Sequence, residues 1–149
     1  RVGGFEGGTV TWAPTNITYG HNNRSAQFRL PQNRYCIENR AADMTMNVYL
    51  AFSMTLSAAV EGIEKKIHPG KPTDQDLYNM SDDEFKKLGI KRLPRNLLMA
   101  IEALKNDELS DEVIGSVMKK SLLTYKNDEW ERYHQAVTDW EVKEYLRLY

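Results

Sequence analysis

Asn23-Arg24-Ser25-Ala26-Gln27-Phe28-Arg29-Leu30-Pro31, then Tyr35-Cys36-Ile37-Glu38-Asn39-Arg40, then Asn47-Val48-Tyr49-Leu50-Ala51 is the stretch whose reading decides the fold. Ala26–Leu30 alternates in character, as a half-buried strand does, and Pro31 ends it because proline cannot donate to a ladder. Tyr35–Glu38 reads as a second short strand. From Asn47 the period changes to that of a helix, and Val48 to Ile67 is apolar nearly all round, which suits a helix buried on most sides. His68-Pro69-Gly70 stops it. A strand-rich first part, 1–46, therefore meets a helical second part, 47–149.

Working outward toward the N-terminus, Thr9–Trp12 and Ile17–Tyr19 also read as short strands, with Gly3-Gly4 and Gly7-Gly8 marking mobile or tightly turned backbone. Toward the C-terminus, Ser81 and Glu84 have the spacing of a capping box and predict a helix to about Leu88. Further helices are expected at Asn96–Lys105, Asp111–Tyr125 and Asp128–Arg147, the last with Trp130, Tyr133, Val137 and Trp140 at steps of three and four. The fold class is thus α+β, a small antiparallel sheet followed by helices. Four short strands leave sheet edges and a second face to cover, and the apolar helix has few partners. The simplest completion is that the partners lie upstream and that the chain, which opens on Arg1, is a C-terminal piece of a larger domain.

Composition narrows the function. The 149 residues carry 20 Lys+Arg against 21 Asp+Glu, a net charge of −1, so no global field steers the chain to nucleic acid or to an acidic membrane. No apolar run approaches the roughly 20 residues of a membrane helix. One cysteine, Cys36, excludes an internal disulfide framework and fits a reducing cytoplasm. No charged leader followed by an apolar segment is seen, so the chain does not read as secreted.

The charges are unevenly placed. Residues 1–64 hold five arginines (Arg1, Arg24, Arg29, Arg34, Arg40) and no lysine, whereas the remainder holds eleven lysines and four arginines. Arginine offers a planar fork of donors that matches phosphate or carboxylate oxygens in pairs. Glu38 and Arg40, two apart on a strand, should project to one face. Several arginines with a lone carboxylate suit a polyanionic ligand with a hard cation on Glu38. The same spacing also suits an exposed ion pair worth about 0–1 kcal/mol. Cys36, His68 and His134 read more readily as structural than as reactive or metal-binding.

Taken together and in order, these residues resemble the C-terminal catalytic segment of the glutamine synthetases. The resemblance rests on Asn23-Arg24-Ser25-Ala26, Arg29-Leu30-Pro31, Ile37-Glu38-Asn39-Arg40, Asp43 and Asn47-Val48-Tyr49-Leu50-Ala51. It continues through Gly62-Ile63, Lys66-Ile67-His68-Pro69-Gly70, Asp76-Leu77-Tyr78 and Leu93-Pro94, and closes on Glu129-Trp130 through Tyr145-Leu146.

The resemblance implies an ATP-dependent ligase using Mg2+ or Mn2+, with γ-glutamyl phosphate as intermediate. It implies Glu38 as a metal ligand, Arg24 and Arg29 on ATP and the transferring phosphoryl group, and Arg40 on glutamate. Gly4-Phe5-Glu6 is similar to a flap whose glutamate takes a proton from the incoming ammonium, and Arg1 falls near a glutamate-binding arginine. Position 36, often arginine in the family, is cysteine here, and Arg34 is the expected substitute on phosphate. Val48 stands where the family usually has proline. Tyr78 aligns with a tyrosine that some bacterial members adenylylate, and an ordinary loop tyrosine is expected here.

The partners implied are L-glutamate and ammonia, with methylamine or a larger amine as the alternative acceptor, and further copies of the chain in a ring-shaped homo-oligomer, a dodecamer. No nucleic acid and no membrane is expected. A non-catalytic assembly module is the alternative of another class, and the 149 residues alone are expected to be inactive, since an E-x-E strand and a metal-binding histidine are missing from them.

Overall fold

The computed structural model describes residues Gly4–Glu6, Thr9–Thr11 and 13–146. The chain divides into two compact units, Arg1–Arg95 and Asn96–Tyr149. The first holds strands β1 (Gly4–Glu6), β2 (Thr9–Thr11), β3 (Asn16–His21), β4 (Ala26–Leu30), β5 (Glu38–Asn39) and β6 (Lys91–Arg92), with helices α1 (Val48–Glu64) and α2 (Asp82–Leu88). The second holds α3 (Leu97–Lys105), α4 (Glu108–Gln135) and α5 (Asp139–Tyr145).

The organisation is α+β, as expected, but the four-stranded sheet is mixed where an antiparallel one was expected. Its order is β5-β4-β3-β6. β4 pairs antiparallel with β5, and β3 antiparallel with β6, whereas β3 and β4 run parallel with His21 opposite Leu30. Parallel neighbours ordinarily need a crossover of a dozen or more residues. Here residues 22–25 alone make the return, turning through Asn22 in the left-handed region at φ 52°. β1 and β2 form a separate antiparallel pair.

Side-chain and backbone bonds to one loop hold that return in place. Thr73 N donates to Tyr19 O at 2.8 Å. Asn23 Nδ2 donates to Thr73 O at 2.7 Å and to Gln75 O at 2.8 Å, while its Oδ1 accepts from Ser25 N and Oγ at 2.9 and 2.7 Å. Ser25 Oγ in turn accepts from Leu77 N at 3.1 Å. Most buried polar groups in folded proteins are hydrogen-bonded in this way. Ala26, Leu77 and Phe85 form the small apolar core of this unit.

Helix starts follow local chemistry closely. Asn47 caps α1, its Oδ1 accepting from Tyr49 N and Leu50 N. The Ser81–Glu84 capping box is present at α2, and Gly89 ends that helix at φ 66°. Asn96 caps α3.

No residue of α1 is buried, and Tyr49 and Ile63 are 81% and 77% exposed, so no described residue covers the helix, in keeping with the expectation that its partners lie outside this chain. The last two helices are placed differently from the expectation. One long element begins at Glu108, with Gly115 at φ 74° interrupting its helical backbone, and ends at Gln135, after which a Thr138–Glu141 capping box starts α5. The aromatic stripe is therefore split between two helices. Trp130 stacks on His134 at 5.4 Å, while Tyr133, Val137 and Trp140 are exposed.

Candidate functional site

Register creates the site. Arg29 on β4 stands directly opposite Glu38 on β5, an edge strand only two residues long. Directly opposed side chains on antiparallel strands lie within reach of each other. Arg29 Nη1 donates to both Glu38 oxygens, at 3.1 and 3.0 Å. Arg34, from the loop between the two strands, donates through Nη2 to Glu38 Oε1. One carboxylate is thus held by two guanidinium groups, and the pair Arg29–Glu38 is largely covered, with side chains 16% and 22% exposed against 61% for Arg34.

Electrostatics follow from that arrangement. The Arg29 hydrogen bond, and after it that of Arg34, hold the Glu38 carboxyl below the usual carboxylate range. The Arg34 guanidinium is pushed up, first by its bond to Glu38 and then by the neighbouring Cys36. Cys36 itself is exposed.

Arg24 and Arg40 form a second small cluster. Arg40 N donates to Gln27 O at 2.8 Å, and Arg40 Nε donates to Arg24 O at 3.0 Å. The expected Glu38–Arg40 pairing is not the one formed: β5 ends at Asn39, and Glu38 turns to Arg29 across the strands. Arg1 lies outside the described residues, and Glu6 is described only by its backbone in β1.

Asn22 was not singled out from the sequence and belongs to this site. It holds φ 52°, a left-handed conformation that asparagine tolerates better than most residues, and its Oδ1 accepts from Arg29 Nη2. Arg29 Nε is buried without a hydrogen-bond partner among the described residues. The signal available in the sequence was the Asn22-Asn23 pair just before Arg24, since adjacent asparagines favour turn backbone.

As a metal ligand, Glu38 supplies oxygens of the kind a hard cation takes, but one carboxylate does not fill such a coordination shell. Among the described residues no group of three or more His, Cys, Asp or Glu side chains comes together to complete it. Both Glu38 oxygens accept from guanidinium groups here, so a cation would have to share the carboxylate with Arg29 and displace the exposed Arg34.

Tyr78 is half-buried. Its hydroxyl donates to Ala13 O at 3.0 Å, and burial raises its pKa. A cavity of about 140 Å³ beside it, walled by Leu77, Phe85 and Arg92, shares no residue with the arginine clusters. Among the described residues no helix is long and apolar enough to cross a membrane.

Comparison with known proteins gives the family of the chain. Residues 9–145 match the family model of the glutamine synthetase catalytic domain. Glutamine synthetase of Methanocaldococcus jannaschii is 40% identical over 137 residues, covering 90% of this chain and 30% of that protein. Glutamate–methylamine ligase of Methyloversatilis universalis is 40% identical over 140 residues, covering 94% of this chain and 31% of that protein. A solved structure described as "Apo GmaS without ligand" superposes with a TM-score of 0.76 at 34% identity, over 90% of this chain and 30% of that one. The chain spans about 30% of the length of the curated relatives it matches. It belongs to the glutamine synthetase family, within the catalytic domain.

Proposed function

We propose that this chain is the C-terminal part of the catalytic domain of an ATP-dependent ligase that joins the γ-carboxyl of L-glutamate to ammonia. In the first step a γ-carboxylate oxygen attacks the γ-phosphorus of ATP and the bond to ADP breaks. In the second the amine nitrogen attacks the acyl carbon, the bond to phosphate breaks, and a base takes the proton that the amine sheds. Charge accumulates on the phosphoryl oxygens in the first step and on the acyl oxygen in the second, so preorganised cations lower both barriers.

The observation that carries the reading is the register that sets Arg29 against Glu38 with Arg34 closing on the same carboxylate. Arg24 and Arg29 then serve the transferring phosphoryl group, Arg34 the nucleotide phosphates, and Arg40 and Arg1 the substrate glutamate, with Glu6 assisting proton removal. Glu38 would ligate Mg2+ or Mn2+, which, when bound, neutralises phosphate charge as a Lewis acid. The uncovered apolar face of α1 supports the view that the domain is completed by residues other than these. The 149 residues alone would then be inactive. We place the full-length protein in the cytoplasm, as a ring-shaped homo-oligomer of twelve subunits.

A second acceptor is favoured by a specific observation: the methylamine ligase is as similar to this chain, at 40% identity, as the archaeal glutamine synthetase. Glutamate-dependent ADP release by the full-length protein, measured with ammonia, methylamine and putrescine, decides between them. Fastest turnover with ammonia is expected, fastest turnover with methylamine selects the second acceptor, and equal inactivity with all three refutes the ligase reading in favour of a non-catalytic assembly module.

A further inference from the structure

Arg29 spends its donors in three directions. Nη1 serves both oxygens of Glu38, Nη2 donates to Asn22 Oδ1, and Nε is buried with no partner among the described residues. Nε and Nη2 share one edge of the guanidinium fork, the edge that grips an oxyanion in paired fashion. The amide oxygen of Asn22 therefore takes one end of that edge, and the other end, Nε, is buried. Glu38 holds the Nη1 end of the fork, and a second anchor on Nη2 fixes its plane.

The backbone makes the anchor specific. Asn22 adopts φ 52°, and its N–H donates to Leu30 O at 2.8 Å, one residue beyond Arg29 on the parallel neighbour. That bond ties the turn after β3 to the end of β4, and the left-handed conformation carries the side chain to the guanidinium. The amide is also neutral. It can orient the cation without cancelling the charge that a second carboxylate would cancel.

We infer that Asn22 is a positioning residue, which fixes the plane of the Arg29 guanidinium so that the N–H of Nη2 it leaves unused meets the transferring phosphoryl group. The inference rests on the ligase reading and on the assignment of Arg29 within it.

The experiment is a double-mutant cycle on the full-length protein with Asn22→Gly, Arg29→Lys and the pair, read as glutamate-dependent ADP release with saturating ammonia and, separately, methylamine. Glycine is at home at φ 52°, so the substitution removes the anchor and leaves the turn. Asn22→Gly is expected to lower kcat by ten- to a hundredfold, the order that follows from misplacing a catalytic group by about 1 Å, with KM for glutamate unchanged. In the Arg29→Lys background the same change should cost less than about twofold, because no fork remains to orient. An unimpaired Asn22→Gly beside a slow Arg29→Lys refutes the role of Asn22 and leaves the ligase reading standing. An equal loss in both backgrounds refutes it too, since the effect then does not pass through Arg29. A wild-type rate for Arg29→Lys overturns the assignment of Arg29 itself, and the role of Asn22 falls with it.

Discussion

Replacing Gly20 by alanine would set a methyl group 2.2 Å from Thr73 O, 2.9 Å from Asn23 Cβ and 3.2 Å from Asp74 Oδ1. Ordinary carbon–oxygen contact begins near 3.4 Å, so the 73–74 backbone or the 20–23 turn has to retreat by about 1 Å. Neither is free to do so. Thr73 N donates to Tyr19 O, Asn23 Nδ2 to Thr73 O, and His21 N to Asp74 Oδ1, at 2.8, 2.7 and 2.7 Å. Overpacking of this kind costs about 1–3 kcal/mol, and each hydrogen bond stretched out of range about 1 kcal/mol more. A local destabilisation of about 2–4 kcal/mol follows, which is roughly thirty- to several-hundredfold in the opening equilibrium. Amide hydrogen exchange read by mass spectrometry on segments spanning 16–25 and 70–78 of the wild type and Gly20→Ala measures it directly. Both segments should lose protection together while α3 and α4 keep theirs. Unchanged protection in the two segments would show that the 73–77 loop does not hold the return between β3 and β4.

Other outcomes follow from single contacts. Ser81→Ala removes the acceptor for Glu84 N and the hydroxyl that donates to Glu84 Oε2, and should cost α2 about 1 kcal/mol, read as faster exchange of the amides of residues 82–88. An unaltered exchange rate there would deny the capping box any energetic role. The acid limb of stability should involve Glu38. Its folded pKa is depressed below the ordinary 4.5, so its contribution is complete above about pH 4.5 and is lost as the pH falls through the lower folded value. Acid unfolding of the wild type should therefore be steeper than that of Glu38→Gln, and identical acid profiles would contradict the pairing with Arg29 and Arg34.

Much of the fold was legible because it is locally encoded. Ala26–Leu30 alternates and meets a proline, Ser81 and Glu84 stand three apart, and Asn96 precedes an apolar period; each element appears where those signals put it. What could not be read depends on chain segments far apart. Nothing in the alternation of β3 and β4 says that they run parallel, since the arrangement depends on Asn23 and Ser25 meeting the 73–77 loop some fifty residues away. The site was legible as a set of residue types, and its pairing was not. Sequence spacing links Glu38 to Arg40, while register links Glu38 to Arg29 nine positions away. Asn22 was overlooked because a left-handed asparagine looks from sequence like any other loop residue. The apolar run of α1 correctly predicted a helix, and its exposure shows that periodicity reports a face to be covered without saying by what.

The central claim is that one carboxylate, gathered by two arginines at the sheet edge, serves phosphoryl transfer from ATP to glutamate. Glu38→Gln in the full-length protein tests it most directly, because the substitution keeps size and removes the charge. At saturating Mg2+ and substrates, glutamate-dependent ADP release should fall by about a hundredfold or more with the oligomer intact. Turnover within about threefold of the wild type would contradict the claim.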